Sequence, residues 1–124
     1  MMTANRLLRL NAAITAVSAA AMLLARPYLY PLFGLSSPLW LDVATGVFVV
    51  YAVALVAAAS RTIVPRAALW AFTAGDGACF AVSVLLLVVF WSDFTPIARV
   101  LIALTALVVD GFAMAQYRAA RLAQ

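Results

Sequence analysis

Two aspartates within apolar stretches are the first candidates for chemistry. Asp76 lies in TAGDGACF, residues 73–80, and Asp110 lies in a similar apolar run. An ionisable side chain in hydrocarbon costs about 2.5–3.5 kcal/mol on insertion scales, so it suggests a function by default. Both are expected about 12–15 Å from the cytoplasmic ends of their helices. At this shared depth in neighbouring antiparallel helices, the two carboxyls could face each other. Gly77 and Gly111 follow them and leave room for a close helix or a water.

A facing pair of carboxyls has two interpretations, and the sequence leaves both open. Two carboxyls in contact away from water would not both ionise, so the pair could bind a proton or a cation. Alternatively, a protonated carboxyl only donates a hydrogen bond to Tyr51, Asn11 or a backbone carbonyl. Thr73 and Ser83 share the helix face of Asp76. The candidate intramembrane polar or proton site comprises Asp76, Asp110, Asn11, Tyr51, Thr73 and Ser83.

Other kinds of chemistry have little support. The chain has no histidine and one cysteine, Cys79, so haem and metal sites and an internal disulfide are not expected. Without a neighbouring cation or second thiol, Cys79 is expected to be inert. No phosphate-binding loop or nucleophile motif is present. We therefore predict no catalytic residues, no cofactor and no metal, and the sequence favours a noncatalytic protein over an enzyme.

Composition assigns the chain to the lipid bilayer. Of its 124 residues, 69% are hydrophobic and only 10% are charged, whereas soluble domains have about 25% charged residues. A membrane-spanning helix needs about 20 mostly apolar residues. Four stretches qualify: 7–25, 39–60, 67–91 and 97–117. They belong to one transmembrane domain, residues 1–124. The arginines are scattered at the ends of these stretches, which indicates topology and not nucleic-acid binding.

Short connections predict an all-α, membrane-embedded, antiparallel four-helix bundle. Ser37-Pro38 and Thr95-Pro96 are typical of helix starts, with a capping hydroxyl followed by proline. Six of the eight arginines flank the two termini and the second connection, so positive-inside counting predicts cytoplasmic N- and C-termini. The first span also resembles a signal peptide. Its removal would leave three spans and place the arginines of the C-terminus on the side that the positive-inside rule disfavours.

The first outer connection, residues 27–37, is the longest and is expected to form a brief turn of helix that ends at Gly34. Four charged residues lie near the outer helix ends. Helix caps and interfacial ion pairs explain them. They are Arg26, Asp42, Asp93 and Arg99.

The two halves of the chain contain a similar segment. Residues 11–18, NAAITAVS, align with residues 76–83, DGACFAVS, through a polar first residue and a shared AVS. Parallel repeats would produce such a match. Alanine and valine are so common in this sequence that chance agreement is the favoured explanation, and the duplication stays open.

Several quoted segments resemble small bacterial four-span integral membrane proteins of unassigned function. They are the RLLRLN start, the LFGLSSPLWLD connection, the aspartate with AVS in the third span, and the final AQYRAARL. The resemblance implies four helices and a multi-pass protein of the bacterial cytoplasmic (inner) membrane. It implies no activity. The exclusive use of arginine over lysine and the abundance of alanine are typical of a GC-rich bacterial genome.

Three functional hypotheses follow from these patterns. The leading one is a noncatalytic accessory or assembly partner of a larger membrane complex, or a homo-oligomer. The alternative is an oligomeric proton- or ion-coupled small transporter or channel that uses the aspartate pair. A third is a lipid- or quinone-binding membrane enzyme, which rests on intramembrane polarity alone. Bound lipid or quinone beside Asp76 would favour it, and a dry, filled interior would count against it.

Overall fold

The structure, a computed structural model, describes residues 3–34, 37 and 39–122. Four of its helices are at least 21 residues long and apolar enough to cross a membrane. The prediction of an all-α chain with four candidate membrane-spanning helices is thus confirmed. The helices are α1 (Ala4–Leu24), α2 (Arg26–Leu32), α3 (Leu39–Ala59), α4 (Arg66–Val89) and α5 (Pro96–Leu122), with a short 3-10 helix at Trp91–Asp93 before α5.

Local sequence explains where several helices begin. The Thr3 hydroxyl accepts a hydrogen bond from the backbone N–H of Arg6 and caps α1. The Thr95 hydroxyl accepts one from the N–H of Ala98, and Pro96 is the first residue of α5. Pro38, expected at the corresponding place before α3, lies outside the described residues.

The turn of helix expected between the first two spans is α2, and it is tied to the connection before α5. The Thr95 hydroxyl donates to the Leu32 carbonyl at 2.7 Å. Gly34 follows with φ of 68°, and a Cβ there would collide with the backbone carbonyl of Asp93. Glycine is required at this position by both its backbone conformation and this close approach.

The long helices pack mainly as two pairs, α1 with α3 and α4 with α5. The Asn5 amide donates to the carbonyls of Ala59 and Arg61 at 3.0 and 2.8 Å, and Arg66 donates to the Ala120 carbonyl at 2.8 Å. The beginnings of α1 and α4 therefore lie beside the ends of α3 and α5. We call this the terminal end of the bundle and the opposite end the α2 end.

An apolar core joins the two helix pairs near the terminal end. Its buried side chains come from all four long helices and the connection before α4. They are Leu8, Ala12, Leu55, Ala59, Val64, Leu69, Phe72 and Ala120. Many other large apolar side chains are exposed on the outer surface, as expected of a bundle surrounded by lipid.

Candidate functional site

The Asp76 carboxyl is the centre of a hydrogen-bonded group that joins all four long helices. Its Oδ2 accepts from Asn11 Nδ2 at 2.9 Å and from Gln116 Nε2 at 2.8 Å. Its Oδ1 is 2.9 Å from the Tyr51 hydroxyl. Asn11, Tyr51, Asp76 and Gln116, one each from α1, α3, α4 and α5, are called the buried cluster below.

The two amides of the buried cluster also bind each other. Asn11 Nδ2 donates to Gln116 Oε1 at 2.8 Å, and the Thr15 hydroxyl donates to Asn11 Oδ1 at 3.2 Å. Asn11 and Asp76 are each 3% exposed and Gln116 is fully buried. Among the described residues, no buried side-chain nitrogen or oxygen lacks a partner. The cluster therefore offsets the cost of burying polar groups by complete hydrogen bonding.

A glycine lets the Tyr51 ring reach the cluster. A Cβ at Gly75 would lie 3.1 Å from Tyr51 Cε2 and 3.2 Å from its hydroxyl oxygen. The ring also packs edge-on against Phe72, with centroids 5.6 Å apart, and the hydroxyl lies 3.1 Å from the Phe72 carbonyl oxygen. Gly77, in contrast, has no heavy atom near its missing Cβ. The two glycines of TAGDGACF thus have different roles.

A cavity of about 280 Å³ lies on the α2 side of the buried cluster, between the four long helices. Asn11, Tyr51 and Asp76 line it toward the terminal end, and Cys79 lines the wall formed by α4. Most of the remaining lining is apolar. The site is therefore an apolar space with a polar, hydrogen-bonded end.

The structure brings only some of the predicted site residues together. Asn11, Tyr51 and Asp76 meet, but no hydrogen bond joins Asp110 to Asp76 among the described residues. Asp110 is partly buried on α5 and is not one of the side chains that line the cavity. The Thr73 hydroxyl donates to Leu69 in its own helix at 2.7 Å. Ser83 is buried but is not part of the cluster.

The four charged residues predicted at the outer helix ends form one ion pair and one contact with an aromatic ring. Arg26 donates to both carboxylate oxygens of Asp42, at 2.7 and 2.9 Å, and the hydrogen bonds and charge of Asp42 raise the pKa of Arg26. Arg99 donates to the Trp91 carbonyl at 2.9 Å, and its guanidinium lies 4.3 Å from the centroid of that indole ring. Among described residues, no ion pair joins Arg99 to Asp93.

Gln116 is the cluster residue that sequence reasoning missed. The sequence pattern on the fourth span indicated Asp110, and a residue six positions further lies about 120° away around the helix. The signal that could have found it is an amide inside the predicted span 97–117, because such side chains hydrogen-bond between helices. In addition, α5 continues to Leu122, beyond the predicted end of the span at residue 117, so Gln116 lies farther from the helix end than the sequence predicted.

Family models, curated proteins and solved structures give no significant match to this chain. The site is therefore interpreted from its own geometry. Its acceptors and donors are engaged with one another, so the arrangement is suited to holding helices and to bordering a small binding space.

Proposed function

We propose that the protein is a noncatalytic membrane protein that acts as an accessory or assembly partner of a larger membrane complex or of its own copies. The observation that carries this proposal is the engagement of Asp76. Its carboxyl binds side chains from the three other long helices. A group that is needed to hold the fold in this way is poorly suited to also act as a catalytic acid or base.

Asp110 supports the assembly part of the proposal. It is only partly buried, and no hydrogen bond or ion pair to it is found among the described residues. A carboxyl in the membrane without a partner is unfavourable by roughly 2.5–3.5 kcal/mol on insertion scales. Contact with a polar group of a second chain would remove much of this cost, so we propose that the face of α5 with Asp110 is covered in the assembled protein.

We further propose an antiparallel bundle in the bacterial inner membrane, with both termini in the cytoplasm. The contacts of Asn5 with Ala59 and of Arg66 with Ala120 support the antiparallel order. Arginines are concentrated at the terminal end, which supports placing that end of the bundle in the cytoplasm. A reporter fused after residue 124 tests the orientation: a fluorescent protein should be active there and a periplasmic phosphatase inactive.

The assembly proposal is tested by extracting the protein into nanodiscs directly from its native membrane. We expect a particle in which the 13.2 kDa chain is bound to a second copy of itself or to a different membrane protein, identified by native mass spectrometry. Asp110→Leu should reduce this assembly while leaving the chain folded, and Asp93→Asn, at the outer connection, is the matched control. A solitary monomer in both native nanodiscs and mild detergent would contradict the proposal.

Proton- or ion-coupled transport remains the rival proposal, with weaker support. Transport by this route requires a pair formed by Asp76 and Asp110, whereas the Asp76 carboxyl binds two amides and a hydroxyl. Flux measurements on vesicles containing the purified protein test the transport proposal. Proton- or cation-dependent flux that is lost in both Asp76→Asn and Asp110→Asn would favour transport, whereas no flux over a broad panel of substrates would reject it.

A further inference from the structure

The cavity between the four long helices is large enough for a small organic molecule. Its volume is about 280 Å³, and an engineered apolar protein cavity of about 150 Å³ binds benzene. The space beside the buried cluster can therefore take an aromatic ring with a short alkyl chain. This inference concerns the interior and is independent of the assembly proposed for the outer face.

The cavity is accessible from the side of the bundle. Val47 and Leu104 line it, yet their side chains are also 58% and 53% exposed. In a bundle surrounded by lipid, such residues place the opening within the hydrocarbon layer. A molecule dissolved in the membrane can reach the space without crossing water, which favours a mainly apolar ligand.

The hydroxyls that line the cavity have already donated their hydrogens within the protein. Thr15 donates to Asn11 Oδ1 at 3.2 Å, Ser18 to the Ile14 carbonyl at 2.8 Å, and Thr105 to the Leu101 carbonyl at 2.9 Å. A hydroxyl has one hydrogen and two lone pairs. These three groups therefore offer only acceptor positions to a ligand.

The cluster residues at the end of the cavity have also used their hydrogens within the protein. Both Nδ2 hydrogens of Asn11 are used, for Asp76 and for Gln116. The Tyr51 hydroxyl is engaged with Asp76 and the Phe72 carbonyl. Of the described polar side chains that line the cavity, only the Cys79 thiol keeps a hydrogen to donate, and a thiol is a weak donor.

We propose that this cavity binds an uncharged, mainly apolar molecule that carries a hydrogen-bond donor, such as an alcohol or phenol hydroxyl. A ligand that has only acceptors, such as a ketone, a quinone or an ether, gains no strong hydrogen bond from these walls. An anion would meet the Asp76 carboxyl and hydroxyl lone pairs, and the described lining residues include no arginine to attract it.

The chemical part of the proposal is tested on the unmodified chain in nanodiscs. The probes are para-propylphenol and its methyl ether para-propylanisole, in which a methyl group replaces the hydroxyl hydrogen and removes the donor. Thermal unfolding is measured over a range of each probe, since a ligand of the folded state raises the unfolding temperature. We expect the phenol to bind about threefold to tenfold more tightly, as one added hydrogen bond allows. Equal binding of the two, or binding of neither, would overturn the proposal.

The location is tested by filling the cavity. Val109→Phe adds bulk to the lining, and Val53→Phe adds the same ring at a side chain that is 64% exposed and not part of the lining. The first should abolish the preference for the phenol and the second should keep it. Attaching a benzyl group to Cys79, the single cysteine, fills the cavity after folding and should have the effect of Val109→Phe. A phenol preference that survives both modifications of the lining would place binding elsewhere.

Discussion

Asp76 and Asp110 are the same residue in similar sequence settings, and their surroundings differ completely. Each lies in an apolar helix and precedes a glycine. Asp76 is 3% exposed and binds side chains of α1, α3 and α5. Asp110 is partly buried and no hydrogen bond to it is found within the described residues. One aspartate holds the bundle together, and the other has no such role within the described chain.

The comparison shows that the role of a carboxyl in a membrane helix depends on which side chains the neighbouring helices place beside it. The faces that reach Asp76 carry an amide on α1, a phenol on α3 and an amide on α5. Their hydrogen bonds offset the cost of removing a polar group from water. The glycines after the two aspartates have no such effect, since nothing lies near the missing Cβ of Gly77 or Gly111.

The largest expected effect comes from removing the carboxyl of Asp76. Asp76→Leu leaves Asn11, Gln116 and Tyr51 without their shared acceptor, so we expect the free energy of unfolding to fall by at least about 2 kcal/mol. Asp110→Leu is the matched variant, and its effect on the isolated chain should stay below about 1 kcal/mol. Reversible unfolding in bicelles measures both. Equal losses for the two variants would remove the distinction between the aspartates.

The two glycines of TAGDGACF give a second, smaller contrast. The methyl group of Gly75→Ala would lie within 3.2 Å of two Tyr51 atoms, so the ring must move by a few tenths of an ångström. The hydrogen bond of Tyr51 to Asp76 opposes this movement, and we expect a cost of about 1–3 kcal/mol. Gly77→Ala adds the same methyl group in open space and should be neutral or slightly stabilising. Unfolding measurements on both variants check this. A stable Gly75→Ala protein would show that the position of Tyr51 does not depend on this glycine.

The fold was largely predictable, because four long apolar stretches can cross a membrane only as helices. The grouping of Asn11 and Tyr51 around Asp76 was also within reach of sequence reasoning. The sequence predicts both residues as possible hydrogen-bond partners of a carboxyl in the membrane. The central place of Asp76 in the third span was clear from its apolar neighbours.

The rest of the site depends on the rotation and register of helices, which the sequence pattern did not determine. Asp76 meets Gln116 and not Asp110, which lies about 120° away around α5. The role of Gly75 depends on where a ring from another helix packs. The cavity depends on how four side-chain surfaces fit together, and one chain's periodicity does not predict this fit.

Asp76→Asn should have a much smaller effect than Asp76→Leu. The new amide keeps an oxygen that can accept from Asn11 and Gln116, and its nitrogen can donate to Tyr51, whose hydroxyl then donates to the Phe72 carbonyl. We expect a change below about 1 kcal/mol in the free energy of unfolding. This variant separates the need for an acceptor from the need for a charge. A loss as large as that of Asp76→Leu would show that the negative charge itself is required.

Solid-state NMR in lipid bilayers tests the central claim most directly, through the couplings between the Asp76 carboxyl carbon and the side-chain nitrogens of Asn11 and Gln116. The nitrogen-to-oxygen distances of 2.9 and 2.8 Å predict strong couplings to both amides at once. They predict no short carbon-to-carbon contact with Asp110. Absence of both amide couplings, or close contact of the two carboxyls, would contradict the account.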